Sequence, residues 1–302
     1  MTIQRVPTTQ AGRLMNHNIQ QAYSRLVTLQ DQLSSGKLLQ RASDGPAQVM
    51  TAMGYRGELR RAGQYERATS DAQGWLNTAD STLQTAVTYL QRVRDLVVQA
   101  TNGSQDENAR AAAATELRSL RDGLLQLANT SYRGRPIFSG TVNAATAPYD
   151  ASMAYAGNAG VVERNVAPGV TIQVNATGPE VFGVDAGGPS YTGNAFEVIS
   201  QLADDLEAGN VSEARHGLDA VDATLDRIYG VQASLGARSR RVDDVLARNG
   251  EVTLEIQSQL AGVEDIDLPR TIIDVKAQEM AYQAALAATA KVIQPSLLQF
   301  LS

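Results

Sequence analysis

The placement of proline divides this chain of 302 residues into parts that can and cannot be long helices. Five of the nine prolines lie between Arg135 and Ser190, whereas none lies between Ala47 and Arg135 or between Ser190 and Leu268. Because proline lacks a backbone donor and clashes with the preceding helical turn, the two proline-free stretches are predicted to be continuous helices. The other four prolines lie near the ends of helical patterns, at Pro7, Pro46, Pro269 and Pro295.

Both ends of the chain carry seams, meaning apolar residues repeated at helical spacing. The N-terminal seam consists of Gly12, Met15, Ile19, Ala22, Leu26, Leu29 and Leu33. The first C-terminal seam consists of Ile273, Ala277, Met280, Ala284 and Ala287, and the second of Val275, Tyr282, Leu286, Ile293 and Leu297. Amphipathic helices at both ends favour a building block of an assembly over an enzyme, because such helices bury their apolar faces against partners.

The first proline-free stretch predicts two helices that pack against each other. Apolar residues follow a three-four repeat from Ala62 to Ala100, with a start signal at residues 43–46 and a stop signal at residues 102–103. Ser104 and Glu107 have the spacing of a capping box, and they predict a second helix that continues to residue 127. Since the intervening turn is short, the two helices are expected to be antiparallel.

The second proline-free stretch carries a similar three-four repeat from Leu218 to Val263. Four polar residues interrupt its seam. We interpret them as positions that set helix register or lie at a solvent edge, in preference to a polar active site. They are Gln232, Ser239, Asn249 and Thr253.

The middle of the chain differs from both flanks. From Gly140 to Gly193 charged residues are sparse and glycine and proline cluster. Within this segment Val170, Ile172 and Val174 alternate with polar residues, which is typical of a strand. We predict a small β-rich domain, and the alternative is a flexible surface insertion with few large apolar residues. The fold class is therefore mainly α, with long N- and C-terminal helices that form a coiled-coil-like bundle and a small β-rich insert domain.

Composition excludes several classes of function. The formal net charge of -6 argues against nucleic-acid binding, which requires a basic face. Membrane insertion is not expected, because the most apolar terminal stretch, from Ala281 to Ile293, is too short for a bilayer span. The N-terminal residues lack the apolar core of a conventional secretory signal.

Few residues of the sequence are candidates for catalysis or for binding a metal or a cofactor. The chain has no cysteine, which removes thiolate metal sites and thiol nucleophiles. Its two histidines, His17 and His216, have no second histidine at metal-ligand spacing, and the glycine run 185–188 lacks the lysine of a phosphate-binding loop. We therefore predict no catalytic, cofactor-binding or metal-binding residues and no cofactor.

Specific strings resemble the flagellin superfamily. LSSGKLLQRASDGPAQVM, from Leu33 to Met50, is similar to its N-terminal signature, and AYQAALAATAKVIQPSLLQFL, from Ala281 to Leu301, is similar to its C-terminal counterpart. The resemblance is closer to the hook–filament junction proteins than to filament flagellins. It rests on GRPIFSGT at residues 134–141, VTIQVNATGPEVFG at 170–183 and the ending QPSLLQFL. One departure is that the usual aspartate pair of the first signature is Asp44-Gly45, which affects local capping.

The resemblance implies a structural role in the bacterial flagellum, as an adaptor between hook and filament. It implies hook-associated protein 1 below, flagellin above and copies of the chain itself in a ring. It also implies an export chaperone on the C-terminal helix and an extracellular location reached by the flagellar type III pathway. The expected segments are 1–42 and 267–302 for the inner axial helical domain, 43–135 and 196–266 for the helical rod, and 136–195 for the outer β-rich domain.

The terminal seams are the expected assembly and chaperone interface. An isolated helix over residues 10–34 would be marginal in water, so we expect both ends to fold when they meet a partner. The residues expected to form this interface are Ile19, Leu26, Leu33, Ile273, Met280, Tyr282, Leu286, Ile293 and Leu297. Three alternatives remain open: a filament flagellin, a soluble coiled-coil scaffold, and a bundle that buries the C-terminal stripe within the chain.

Overall fold

A computed structural model of the chain describes residues 8–41, 43–102, 106–142, 147–185 and 191–298, with the backbone alone for residues 8–11 and 291–298. The fold is mainly α with two small two-stranded sheets, as predicted. The helices are α1 (Thr8–Ser35), α2 (Pro46–Ala100), α3 (Glu107–Ala128), α4 (Gly178–Phe182), α5 (Ala195–Ala208), α6 (Val211–Glu264) and α7 (Leu268–Leu298). The strands are β1 (Ser131–Tyr132), β2 (Arg135–Pro136), β3 (Glu163–Ala167) and β4 (Val170–Gln173).

The chain divides into two compact units. The terminal unit combines Met1–Arg61 with Thr253–Ser302, and the central unit is Ala62–Val252. The five segments proposed from the sequence are a finer division, and their boundaries stay a prediction. None of the helices within the described ranges is both long and apolar enough to cross a membrane.

The predicted α2 seam forms part of the core of the central unit. The helix begins at Pro46 and ends at Ala100, close to the predicted start and stop signals. Burial of these small and branched side chains removes their apolar surface from water, which is the main force that holds the bundle together. The buried seam residues are Ala62, Thr69, Ala72, Leu76, Ala79, Leu83, Ala86, Leu90, Val93, Val97 and Ala100.

Helix α3 packs antiparallel to α2, as expected from the short turn between them. Near the turn, Arg92 of α2 forms an ion pair with Glu116 of α3 at 2.7 Å. Beyond the far end of α3, the ring of Tyr132 packs edge-on against Trp75 of α2 at 5.9 Å. The predicted capping box is wrong: Asp106 is the N-cap, and its Oδ1 accepts a hydrogen bond from Ala109 N at 2.8 Å. An aspartate one residue before the helix satisfies the first-turn donors, and Ser104 lies outside the described residues.

Polar residues of the α6 seam form hydrogen bonds with α2 and with β3. Asn249 is buried, and its Nδ2 donates to the carbonyl oxygen of Val166 at 2.8 Å and to Thr69 Oγ1 at 3.3 Å. Ser239 Oγ accepts a hydrogen bond from Gln73 Nε2 at 3.3 Å. These bonds can form in only one alignment of the two helices, which agrees with the interpretation of Asn249 and Ser239 as residues that set register.

The insert contains the predicted strand within a short hairpin. Strands β3 and β4 pair antiparallel, and Gly169 lies in the connecting turn with φ 71°. Ile172 and Val174 are buried and Thr171 is exposed, as predicted. The rest of the predicted alternation is not seen, because Val170 and Gln173 are both half-buried and Asn175, beyond the end of β4, is buried. The strands are short, and much of the rest of the insert consists of α4 and irregular chain.

An aromatic core, which we did not predict, holds the insert together. The ring of Tyr149 lies 4.9 Å from that of Phe196 and 5.9 Å from that of Phe182. Phe182 also contacts Phe138 at 5.6 Å and Phe196 at 5.3 Å. All four side chains are buried and belong to the core of the central unit, so the insert is packed against the helices and is not a flexible surface insertion.

The hydroxyl of Tyr149 makes the stability of the central unit depend on pH. It is buried without a hydrogen-bond partner among the described residues, and burial raises the pKa of Tyr149 well above its ordinary value. Because the unfolded pKa is about 10, the charge state of this side chain does not weaken the folded state below that pH, and stability is lost as pH rises further, since the hydroxyl is deprotonated more readily in the unfolded chain.

We expect Tyr149→Phe to stabilise the central unit by about 1 kcal/mol at pH 7, because it removes an unpaired buried hydroxyl. The variant should also unfold at a higher pH than the natural chain. Urea unfolding at pH 7 and pH 11 measures both effects, with the exposed Tyr229 changed to Phe as the control. The same alkaline midpoint in the natural chain and in Tyr149→Phe would contradict the assignment.

Candidate assembly interface

The terminal helices α1 and α7 pack against each other in the terminal unit. They are antiparallel, since Lys37 pairs with Asp265 just beyond one end and Gln278 Nε2 donates to Ala22 O, at 3.0 Å, further along. The rings of Tyr23 and Tyr282 lie 5.8 Å apart across the same contact. The N-terminal seam therefore packs against a seam of α7 within one chain.

The second C-terminal seam forms the α7 side of this contact. Val275 is buried and Tyr282 is half-buried, but Leu286 is 43% exposed. The packing is thus tighter near the start of α7 than further along the helix. Ile293 and Leu297 belong to the same seam but lie in the part of α7 whose side chains are outside the description.

The N-terminal seam supplies the opposite side of the contact. Leu26 is buried, whereas Ile19 and Leu33 are half-buried. This partial burial is expected where a single helix covers one face of its neighbour and leaves the edges of the seam accessible.

The first C-terminal seam lies on the opposite face of α7 and faces outward. Ile273 is 67% exposed and Met280 is 65% exposed, and the alanines between and beyond them are also exposed. We call this surface the outward stripe, and it consists of Ile273, Ala277, Met280, Ala284 and Ala287. Large apolar side chains aligned on an exposed helix face are typical of an interaction surface.

The connection between α1 and α2 is described at residues 36–41 and 43–45, and its first part pairs with the end of α6. Leu38 N donates to the carbonyl oxygen of Glu264 at 2.6 Å, and Ile266 N donates to the carbonyl oxygen of Gly36 at 3.2 Å. These two bonds form an antiparallel bridge around Lys37 and Asp265. The first flagellin-like string thus fixes the position of the segment that precedes α7.

A buried carboxylate reinforces this bridge. The side chain of Glu264 is only 4% exposed, and its oxygens lie 2.7 Å from Arg56 Nη2 and 3.6 Å from Lys37 Nζ. Lys37 Nζ also lies 2.5 Å from Asp265 Oδ1, and this hydrogen bond is the main reason why the pKa of Lys37 is raised. Sequence analysis missed these residues, because paired charges distant in the chain have no periodic pattern.

We expect Glu264→Gln to loosen the bridge. The change leaves two cations without their buried partner, and since both cations are half exposed the cost should be about 1–2 kcal/mol. Hydrogen exchange of the Leu38 and Ile266 amides should accelerate roughly tenfold if the local opening energy falls by about 1.4 kcal/mol. The exposed Glu255→Gln is the control, and unchanged exchange of both amides in Glu264→Gln would rule out this role.

Asp44 stabilises the turn and does not cap α2. Its Oδ2 accepts hydrogen bonds from Arg41 N at 2.7 Å and from Gln40 N at 3.1 Å. The bond from Arg41 is the largest cause of the lowered pKa of Asp44. Because the folded pKa lies below the unfolded value of about 3.9, the carboxylate stabilises the turn above that pH and loses this effect as pH falls through the folded pKa.

The described residues offer little other chemistry. Within the described part of the chain, no group of three histidine, aspartate or glutamate side chains is arranged to hold a metal ion. His17 is exposed and bonds to Gln21 at 2.9 Å, and His216 is exposed on α6. The surface best suited to function is therefore the terminal unit with its outward stripe.

Comparisons with known proteins agree with this architecture. The family model of the bacterial flagellin N-terminal helical region matches residues 6–143. Flagellar hook-associated protein 3 of Salmonella typhimurium is 28% identical over 277 residues, which cover 85% of this chain and 87% of that protein. Flagellin of Bacillus subtilis is 26% identical over 283 residues, which cover 87% of this chain and 88% of that protein.

A solved structure described as a flagellar hook-associated protein from Vibrio parahaemolyticus has the same fold. It superposes with a TM-score of 0.66 at 26% sequence identity, and the match covers 74% of this chain and 100% of that one.

Proposed function

We propose that this chain is a structural adaptor at the hook–filament junction, because it is similar to flagellar hook-associated protein 3 over most of its length and the family model of the flagellin N-terminal helical region matches residues 6–143. The homologues are structural components of the bacterial flagellum. The observation that carries the finer proposal is the match to hook-associated protein 3, which spans most of both chains. The junction-like strings at residues 134–141 and 170–183 favour the same role over that of a filament subunit.

The proposed partners are hook-associated protein 1 on the hook side, flagellin on the filament side and copies of this chain around a ring. The two seams of α7 support such contacts. One seam packs on α1 within the chain, and the other, the outward stripe, has an apolar surface that a helix of a neighbouring subunit could cover. The predicted interface residues of one α7 seam would therefore contact α1, and those of the other seam would contact a neighbouring subunit.

Assembly would be coupled to ordering of the terminal unit. Helices α1 and α7 expose much of their surface, and a helix with few buried contacts is marginal in water. Contacts with neighbouring subunits would offset the entropy lost when these helices become fixed. The free chain should accordingly show faster proteolysis at its ends than in the central unit.

We further propose that an export chaperone binds α7 before assembly and that the chain leaves the cell by the flagellar type III pathway. A helix-in-groove chaperone would cover the outward stripe and prevent premature association. Truncation after Leu268 removes nearly the whole of α7 and should abolish chaperone binding in a pull-down assay. Binding by the truncated chain at full strength would refute this part of the proposal.

Our proposal assigns no catalysis to this chain. Its homologues are structural flagellar proteins, and the features that favour assembly account for the terminal helices. A filament flagellin is the second candidate, because the flagellin of Bacillus subtilis matches a similar share of this chain. The two candidates differ in where the protein lies along the flagellum.

Immunogold electron microscopy of isolated flagella tests the proposal. An epitope tag inserted at the exposed turn Pro168–Gly169 should not disturb the hairpin, because both residues lie outside the core. We expect a single narrow band of label at the hook–filament boundary. Label along the whole filament would identify a flagellin, and absence from flagella would favour a soluble coiled-coil scaffold.

A further inference from the structure

Three arginines of the central unit lie close together around Asp71 and Trp75, and two of them bond to the Asp71 carboxylate. Asp71 of α2 accepts hydrogen bonds from Arg133 Nη1 at 2.9 Å and from Arg164 Nε at 2.8 Å. The guanidinium carbons of Arg135 and Arg164 lie 5.9 Å and 5.7 Å from the centre of the Trp75 ring. We call Arg133, Arg135 and Arg164 the arginine cluster.

The positive charge of the arginine cluster is only partly neutralised within the chain, because one carboxylate faces three arginines. No ion pair to Arg135 occurs among the residues that the structure describes, and the side chain of Arg133 is 72% exposed. Glu163 does not neutralise the cluster, since neighbouring residues of a strand point to opposite faces of the sheet. Arginines held on an aromatic surface are already oriented, and their planar forks match carboxylates.

The hairpin that carries two of these arginines is fixed by its turn. Arg133 and Gly134 both have positive φ, 50° and 76°, as required in the tightest connections between antiparallel strands. Glycine or asparagine is the usual residue at such positions, so an arginine at residue 133 adopts this backbone at a cost. The tight turn therefore restricts the movement of the backbone that carries Arg133 and Arg135.

The central unit also carries the complementary surface. Asp219, Asp222 and Asp226 lie three and four residues apart on one face of α6, which we call the acidic face. Arg94 of α2 pairs with Asp222 at 2.8 Å. Asp219 and Asp226 are exposed, and no ion pair to either of them occurs in the described ranges.

The two surfaces are too far apart to meet within one chain. Asp71 marks the arginine cluster on α2, and Arg94 marks the acidic face on the same helix, 23 positions later (94 minus 71). At 1.5 Å per residue the two levels are separated by about 35 Å. Two copies can bring them together if they lie side by side, either parallel with a shift of this size along the helix axis or antiparallel around a two-fold axis.

We propose that the arginine cluster of one copy binds the acidic face of a second copy. Copies in the proposed ring point in the same direction, so the contact is head-to-tail, and repetition of such contacts produces rings or helical arrays. It rests on the proposed self-association of this chain and adds the surfaces, the partner and the axial shift. The contact lies in the central unit and is independent of the outward stripe.

Disulfide cross-linking tests the contact directly, since the natural chain has no cysteine. Ser131→Cys places a thiol beside the arginine cluster, and Ala223→Cys places one on the acidic face; both positions are exposed. We expect the full chain with both cysteines to form a ladder of dimers, trimers and larger species after oxidation. Each chain with a single cysteine should form no ladder.

Charge substitutions establish whether the arginines and aspartates cause the contact. Arg135→Glu or Asp226→Arg should each reduce the ladder about tenfold, and the two changes together in one chain should restore it. Gln126→Glu on the exposed side of α3 is the control for added negative charge and should have no effect. The proposal is overturned if the ladder is absent, if it survives Arg135→Glu, or if single-cysteine chains cross-link equally well.

The cross-link is measured in whichever cell fraction contains the chain. A ladder in a chain found outside flagella would support the contact and refute the junction role. A chain located at the junction without a ladder would support the junction role and refute this contact. The two proposals therefore fail separately.

Discussion

The double substitution Ile273→Glu and Met280→Glu is expected to leave the chain folded and to reduce its incorporation into flagella at least a hundredfold. Both side chains belong to the outward stripe and are 67% and 65% exposed, so charge is tolerated there in the free chain. Glutamate is also a good helix former, and α7 should therefore persist. In an assembly that covers the stripe, each unpaired carboxylate would be desolvated at a cost of several kcal/mol.

Incorporation is measured by quantitative immunoblotting of sheared flagella against the cellular pool. Gln283→Glu with Ala290→Glu is the matched control, because it adds the same two charges to exposed positions of α7 outside the stripe. Circular dichroism of the purified chains verifies that the variants keep their helices. Normal incorporation of a folded stripe variant would show that the outward stripe is not an assembly surface.

Phe182→Ala is expected to destabilise the central unit by about 3–5 kcal/mol, the range for removal of a buried aromatic side chain. The ring is fully buried and contacts Phe138, Tyr149 and Phe196, so its loss leaves a cavity and removes three aromatic contacts. The insert cannot easily collapse to fill the space, because these neighbouring rings come from separate segments of the chain.

Urea unfolding followed by the fluorescence of Trp75 measures this effect. Trp75 is the only tryptophan and lies in the central unit, so its signal reports that unit. Val184→Ala, two residues away at an exposed position, should change stability by less than about 0.5 kcal/mol. A change below 1 kcal/mol for Phe182→Ala would mean that the aromatic core does not hold the insert in place.

The long helices were predictable from the sequence because their seams repeat with helical period. The α2 seam from Ala62 to Ala100 and the antiparallel α3 both follow from this period and from a short turn. The aromatic core was not predictable in the same way. Tyr149, Phe182 and Phe196 are separated by irregular chain, and only the tertiary structure brings them together.

The candidate interface was predictable in part. Periodicity identified both seams of α7, but it could not decide which seam packs within the chain, since both faces of the helix are apolar. The structure assigns Val275 and Tyr282 to the contact with α1 and leaves Ile273 and Met280 exposed. The bridge around Glu264 could not be predicted from the sequence, because an ion pair between residues far apart in the chain produces no periodic pattern.

The composition of the two units also sets the order in which a newly made chain can fold. The central unit is a continuous segment, so its core can form while later residues are still being synthesised. The terminal unit joins residues near both extremities, as in the bond from Gln278 to Ala22, 256 positions apart. It must wait until synthesis of α7 is nearly finished. In a newly made chain the central unit therefore folds first, and the terminal unit, which carries the exposed apolar surface, folds last. This order shortens the time during which that surface can associate wrongly.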